Sequence, residues 1–263
     1  MSIIRNSVKH RMAAGEVTLG FGVYHLRTAA TAAIAAACGH DWLFLDMEHG
    51  AFSVQEVTQI CLAALPTGIT PIVRVCNGAI DEGSRALDNG AMGIVVPHVD
   101  TAEEAHRVAR AYRYPPLGTR SWGGPPALFG YQPPGNAAAQ QATNAEILVV
   151  AMIESPEAVV NAGGIAAVDG IDVLLIGASD LSAEMGISGE VLHPRMVAAF
   201  QAVADACKEA SKVMGMGGVY DEAGASRYMA MGARFILTGS DHAFMLSAGA
   251  ARAAFLRRQA AAP

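Results

Sequence analysis

Lysine is scarce in this chain. Three occur in 263 residues, Lys9, Lys208 and Lys212, and none stands at the end of an apolar, strand-like run. Schiff-base chemistry on a carbonyl substrate therefore has no candidate amine. Basic tracts are missing as well, and the net charge of −6 argues against nucleic acid and anionic membrane surfaces as partners. The most apolar-looking helical stretch, Thr28–Cys38, is alanine-rich and far shorter than a membrane span. The polar start, Met1–Arg11, carries no signal-peptide core. Cysteine is limited to Cys38, Cys61, Cys76 and Cys207. Their spacing suits buried free thiols in a reducing cytoplasm rather than a cysteine metal site. No Gly-x-Ser-x-Gly elbow is present, and no cysteine sits at an activated position.

What is abundant is apolar residue, 52 % against 16 % charged, enough for a large core. Two continuous apolar runs stand out, Ile147–Ile153 and Val173–Ile176. Unbroken rather than alternating runs mark strands covered on both faces. Each leads into helix-start chemistry, Ser155-Pro156-Glu157 and Ser179–Glu184. Similar runs at Val17–His25, Asp41–Asp46, Thr70–Val75, Gly93–Val99, Val213–Tyr220 and Phe235–Gly239 alternate with helical stretches. Those helices are read at Thr28–Cys38, Ser53–Leu65, Ala79–Asn89, Thr101–Tyr112, Pro156–Val168, His193–Ala210, Asp221–Met231 and His242–Arg258. Eight strands alternating with eight helices predict an α/β fold, a (β/α)8 TIM barrel as a single domain over residues 1–263. A doubly wound sheet would more often show a Gly-rich turn after the first strand, where Tyr24-His25-Leu26-Arg27 stands instead. The irregular segment Tyr114–Asn144, rich in Pro and Gly, reads as a lid or an interface arm. The Ala-rich tail is expected to fray.

Barrel active sites lie at the carboxyl ends of the strands. Those ends carry Asp46, Glu48 and His49, then Arg74, His98, Glu154, and Ser179 with Asp180. Glu154 and Asp180, one strand apart, suit a hard divalent cation with open positions for substrate. Taken alone, they equally fit a helix start and a helix N-cap. His49 also fits a loop histidine, and Arg74 a structural partner of Asp46 or Glu48. Glu48 and His98 are read as structural polar groups, and Asp88 by default as a solvated helix residue. Without a lysine, the chemistry left is metal-assisted polarisation of a carbonyl with His49 as general base. The Gly-rich ends of strands seven and eight, Gly215–Gly218 and Thr238-Gly239-Ser240, offer a phosphosugar-binding barrel as a rival.

These residues resemble the HpcH/HpaI family of class II, metal-dependent pyruvate aldolases. The matching wording is Asp41–His49, Pro71–Arg74, Leu87–Ala91, Arg113–Arg120, Ile153-Glu154-Ser155 and Gly177–Ser182. The resemblance implies cleavage of a 4-hydroxy-2-oxo acid to pyruvate, or a related 2-oxo acid, and an aldehyde through an enolate. It implies a divalent cation, Mg, Mn or Co, on Glu154 and Asp180, with the oxo-acid carboxylate at the backbone of Ala178, Ser179 and Asp180. Arg74 would steady the enolate oxygen, and His49 would be the acid/base. Asp88, reaching from a neighbouring subunit, or Asp46 would tune that imidazole. Oxaloacetate decarboxylation and a Claisen-type condensation are sister activities on the same enolate. The family also implies a homo-hexamer, a trimer of dimers, with the last helix exchanged between subunits. One departure is Met152, where many relatives carry a Gln that contacts the oxo acid. Ser121–Asn136 has no familiar wording and is expected to shape the aldehyde pocket.

Overall fold

A computed structural model of the chain describes residues 3–124 and 126–260. Its frame is eight parallel strands: β1 (Thr18–Val23), β2 (Trp42–Asp46), β3 (Thr70–Arg74), β4 (Gly93–Val96), β5 (Leu148–Ile153), β6 (Val173–Gly177), β7 (Val213–Gly217) and β8 (Ala233–Ser240). They pair in chain order and close β8 onto β1, a complete barrel. The helices are α1 (Ser7–Ala13), α2 (Thr31–Ala37), α3 (Val54–Ala64), α4 (Ile80–Asp88), α5 (Ala102–Tyr112), α6 (Asn136–Glu146), α7 (Pro156–Val160), α8 (Ala162–Ala166), α9 (Ala178–Glu184), α10 (Pro194–Glu209), α11 (Glu222–Ala230) and α12 (Asp241–Ala260). The expected (β/α)8 barrel is thus present, with additions. One is α1, in the polar start where the sequence pattern announces no element. Another is α6, inside the stretch that reads as irregular. The helix expected over Pro156–Val168 is two short helices that meet at Asn161. Strands four and seven end at Val96 and Gly217, short of Val99 and Tyr220; the backbone leaves the extended conformation at His98 (φ 50°) and Gly218 (φ 80°).

Why the barrel closes is visible in its residues. Strands β2 to β6 are buried along their whole length, as parallel strands with helices outside and side chains within must be. The interior is filled by side chains, with Trp42 stacked on Phe235 at 3.9 Å between ring centroids. Gly20 makes room for that stack, since a Cβ there would meet the Trp42 ring at 2.4 Å. Val8 and Met12 of α1 are buried with this inner cluster. Fully burying such side chains contributes roughly 1.5–3 kcal/mol each. Capping boxes at Ser53/Glu56 and Thr101/Glu104 start α3 and α5 where the sequence places them.

The last helix behaves differently. Of its described residues only Asp241 is buried, while Phe244, Met245, Leu246, Phe255 and Leu256 are exposed. Asp241 anchors it: Oδ2 accepts the backbone N–H groups of Tyr24, His25 and Leu26 at 3.1, 2.8 and 2.7 Å. No helix among the described residues is long and apolar enough to cross a membrane.

Candidate active site

The carboxyl ends of the strands surround a cavity of about 190 Å³. Phe44, Met152, Leu175 and Leu237, projecting into the barrel, line it together with His49, Arg74, Glu154, Ala178, Ser179 and Asp180. Glu154 follows β5 directly and Asp180 lies in the first turn of α9, after the neighbouring β6. The N-cap of α9 is Gly177, not Asp180. Gly177 has a second duty, because a Cβ there would stand 2.4 Å from Glu154 Oε1. The missing side chain is what lets the carboxylate turn inward.

Glu154 is 1 % exposed. Its Oε2 accepts the backbone N–H of His98 at 3.1 Å, and the His98 ring nitrogen Nδ1 lies 3.8 Å away. His98 presents that N–H from a left-handed backbone, φ 50°. Burial pushes the Glu154 carboxyl up to about 7, with Asp180 adding to the push and His98 and Arg74 opposing it. A cation beside a buried carboxylate and a second acid favours their charged forms. Hard oxygen donors of this kind fit a divalent ion such as Mg or Mn.

Asp46 and Arg74 are register partners on β2 and β3. The Arg74 Nε donates to Asp46 Oδ1 at 3.0 Å, Nη2 to Oδ2 at 2.5 Å, and Nη1 lies 3.1 Å from Glu48 Oε2. Met152 Sδ sits 4.0 Å from the same Nη1. Asp46 Oδ1 also accepts the backbone N–H groups of Glu48 and His49 at 3.0 and 3.2 Å. Asp46 therefore sets the main chain under His49 while its remaining capacity goes to Arg74.

Of the residues singled out from sequence, His49, Arg74, Met152, Glu154, Ala178, Ser179 and Asp180 meet at this cavity. Asp46 lies behind Arg74. Asp88 is elsewhere in the same chain, at the end of α4, where Arg120 Nη2 donates to it at 2.6 Å. Ser121–Asn136, expected at the aldehyde pocket, contributes no described residue to the lining. It packs into the core outside the cavity instead: Leu128 and Phe129 are buried, and the Trp122 ring meets Tyr114, over which Arg120 stacks at 4.6 Å. Glu48 and His98 are the structural polar groups the sequence suggests, whereas Tyr24 and Tyr220 have places that the sequence pattern does not disclose. Glu48 and His98 hold Arg74 and Glu154, and Tyr24 and Tyr220 line the mouth. A tyrosine directly after strand one is the available signal.

A family profile described as HpcH/HpaI aldolase/citrate lyase matches residues 23–248. The chain belongs to this family. A protein named 4-hydroxy-4-methyl-2-oxoglutarate aldolase cghB, from Chaetomium globosum, is 38 % identical over 82 % of this chain and 81 % of its own length. A 2-keto-3-deoxy-L-rhamnonate aldolase of Salmonella schwarzengrund is 34 % identical over 91 % of this chain and 89 % of its own. Among solved structures, an HpcH/HpaI aldolase from Desulfitobacterium hafniense DCB-2 superposes with a TM-score of 0.88 at 29 % identity, covering 97 % of both chains. The expectation of an aldolase-type carbon–carbon lyase on a (β/α)8 barrel is borne out by these HpcH/HpaI relatives.

Proposed function

We propose that this HpcH/HpaI protein is a divalent-metal-dependent aldolase that cleaves a 4-hydroxy-2-oxo acid to pyruvate, or a related 2-oxo acid, and an aldehyde. The observation that carries the reading is the meeting of Glu154 and Asp180 with His49 and Arg74 in one buried-floored cavity. Glu154 and Asp180 would hold the ion. When bound, a divalent cation supplies Lewis-acid polarisation of the substrate carbonyl. The backbone around Ala178–Asp180 receives the substrate carboxylate. His49 takes the proton of the C4 hydroxyl as the C3–C4 bond breaks, and the bonding pair passes into the C2–C3 enolate. Arg74, held rigid by Asp46 and Glu48, faces the oxygen on which that charge grows, the electrostatic effect that usually contributes most. A proton returned to C3 completes the 2-oxo acid.

Tuning of the His49 ring by Asp88 of a neighbouring copy rests on the family resemblance; within its own chain Asp88 accepts from Arg120. Assembly into a hexamer by exchange of α12 supplies that neighbour and covers the exposed Phe244–Leu256 face. Light scattering tests this: a species of 27.2 kDa at micromolar concentration rules the assembly out. The four unpaired cysteines support a cytoplasmic setting.

The family description also names citrate lyase, so oxaloacetate decarboxylation and a Claisen-type reaction are the sister chemistries on the same enolate. The phosphosugar reading shares this cavity, onto which Gly217 and Gly218 also open; turnover retained by Glu154→Ala and Asp180→Ala would favour it. Chelator-stripped protein mixed with pyruvate and an aldehyde, with and without Mn or Mg, decides the matter. Metal-dependent consumption of pyruvate, lost in Glu154→Ala, is expected. No turnover with either ion sinks pyruvate aldol chemistry.

The named relatives pose a choice. 4-Hydroxy-4-methyl-2-oxoglutarate carries two carboxylates, whereas 2-keto-3-deoxy-L-rhamnonate carries one and ends in a neutral hydroxylated tail.

A further inference from the structure

Two asparagines of this chain are followed by glycine, Asn77-Gly78 and Asn89-Gly90. Such a pair carries a chemistry of its own. The main-chain nitrogen of the second residue can attack the side-chain carbonyl of the first, and glycine, with no Cβ, leaves that nitrogen uncrowded. The other asparagines, Asn6, Asn136, Asn144 and Asn161, precede serine or alanine. By sequence the two Asn-Gly pairs are equivalent. The fold makes them different.

Asn77 and Gly78 stand on the active rim, in the turn that joins β3 to α4, just beyond Arg74. Both are exposed. A single backbone bond closes the turn, from the Ala79 N–H to the Cys76 carbonyl at 3.0 Å. Gly78 has a φ of 78°, and a Cβ on it would meet nothing within 4 Å. The backbone of the turn, and not packing, is what requires glycine there. Among the described residues, no hydrogen bond holds the Asn77 side chain.

Asn89 is held. It caps the end of α4, where its Nδ2 donates to the Arg85 carbonyl at 2.7 Å and its N–H to the Ala86 carbonyl at 3.1 Å. The Ala91 N–H donates to the same Ala86 carbonyl at 3.0 Å, so the chain is pinned on both sides of Gly90. Gly90 itself is buried, and a Cβ on it would lie 3.3 Å from the Leu62 side chain. Ring closure at Asn89 must first break the bond to Arg85 and lift Gly90 from its neighbours. Asn77 needs no such local opening.

We propose that Asn77 is a self-modification site, converted to aspartate and isoaspartate, and that the end of α4 protects Asn89 from the same reaction. The Gly78 nitrogen bonds to Asn77 Cγ, and the side-chain nitrogen leaves as ammonia with the Gly78 proton, closing a five-membered imide. Water then opens the ring. Cleavage between the nitrogen and Cγ gives aspartate. Cleavage between the nitrogen and the main-chain carbonyl carbon gives isoaspartate, whose main chain runs through Cγ. No oxidant or reductant takes part. Either product puts a carboxylate where a neutral amide stood, on a rim that already carries Asp46, Glu48, Glu154 and Asp180.

The test incubates the full chain at pH 8.5 and 37 °C, folded and in urea, and follows both Asn-Gly peptides by mass spectrometry. In the folded protein, conversion at Asn77 is expected to outpace that at Asn89 at least about fivefold, the factor that one retained hydrogen bond sets. In urea the two sites are expected to convert at the same rate. Asn77→Gln, which would have to close a six-membered ring, is expected to abolish the more acidic form that accumulates on anion exchange. Equal conversion of the two sites in the folded protein overturns the inference, as does faster conversion at Asn89. So does an Asn77 that stays intact in the fold while urea converts it. A preference for Asn77 that persists unchanged in urea overturns the protection assigned to α4.

Discussion

The guanidinium of Arg74 lies in a two-point contact with the carboxylate of Asp46, Nε to Oδ1 at 3.0 Å and Nη2 to Oδ2 at 2.5 Å, closed to solvent. The contact exists because β2 and β3 pair in register at these two residues. Glu48 takes the third corner at 3.1 Å and the Phe44 ring lies 5.1 Å from the guanidinium carbon. A cation fixed on so many sides cannot follow the substrate; the substrate must come to it.

Breaking that contact is expected to damage both stability and rate. Asp46→Ala leaves a buried guanidinium short of its main partner and releases the main chain at Glu48 and His49. Removing one member of a buried pair costs about 3–5 kcal/mol, and misplacing one electrostatic stabiliser lowers kcat roughly 10²–10³-fold. Urea unfolding and steady-state kinetics on the same preparation check both. Near-normal kcat in a folded variant would falsify the claim that Asp46 positions Arg74.

Proton and cation compete for Glu154. Its carboxyl is pushed up to about 7, chiefly by burial and further by Asp180, against the pull of His98 and Arg74. Below that value the metal-free protein holds a proton on Glu154 that a cation must displace. Apparent Mn affinity is expected to fall about tenfold per pH unit on acidification below 7, and to level off above it. Titration calorimetry from pH 5.5 to 8.5 reads the slope directly. A flat profile across that range removes Glu154 from the metal-binding set.

Much of this arrangement is legible in the amino-acid order. Continuous apolar runs disclose buried parallel strands, and in a barrel the ends of those runs lie on one rim, so that Glu154, Asp180, His49 and Arg74 come near one another can be read from position, though not what each does. What the order of residues hides is partnership. Asp46 bonds the backbone under His49 instead of its ring, a choice made by a local turn that spacing does not encode. Asp88 meets Arg120 across 32 positions, and Glu154 meets the N–H of His98 across 56. Contacts between distant segments follow from closure of the whole barrel. Helix α6 is hidden for another reason: its run of Ala, Gln and Asn lacks a strong apolar stripe.

Asp241 makes the start of α12 a pH-sensitive anchor. Burial disfavours its charge, yet the backbone N–H groups of His25, Leu26, His242 and Tyr24 outweigh that and hold it below its ordinary 3.8. A depressed carboxyl stabilises the fold at all pH values above 3.8 and loses that contribution as pH falls through its folded value. Asp241→Asn is expected to cost about 2–4 kcal/mol at pH 7, the worth of several bonds to a buried charge less what the amide retains. That corresponds to a drop in melting temperature of roughly 5–10 °C. The gap between variant and parent should shrink by pH 3, and a gap that is constant from pH 3 to 7 excludes this origin.

Met152 is the last residue whose replacement the geometry lets one predict. Its thioether, a weak acceptor, faces Arg74 Nη1 at 4.0 Å in a position 5 % exposed. Met152→Gln keeps nearly the same length but brings an amide. The amide oxygen would accept from Nη1, on the side that Glu48 does not occupy, and the amide N–H would then turn toward the cavity. One added bond to a carboxylate or keto oxygen contributes about 1 kcal/mol, so KM for pyruvate should fall roughly fivefold while kcat stays within about twofold. A lower kcat at unchanged KM would mean instead that the thioether is needed to keep Arg74 in place, and that the amide draws the guanidinium away from Asp46.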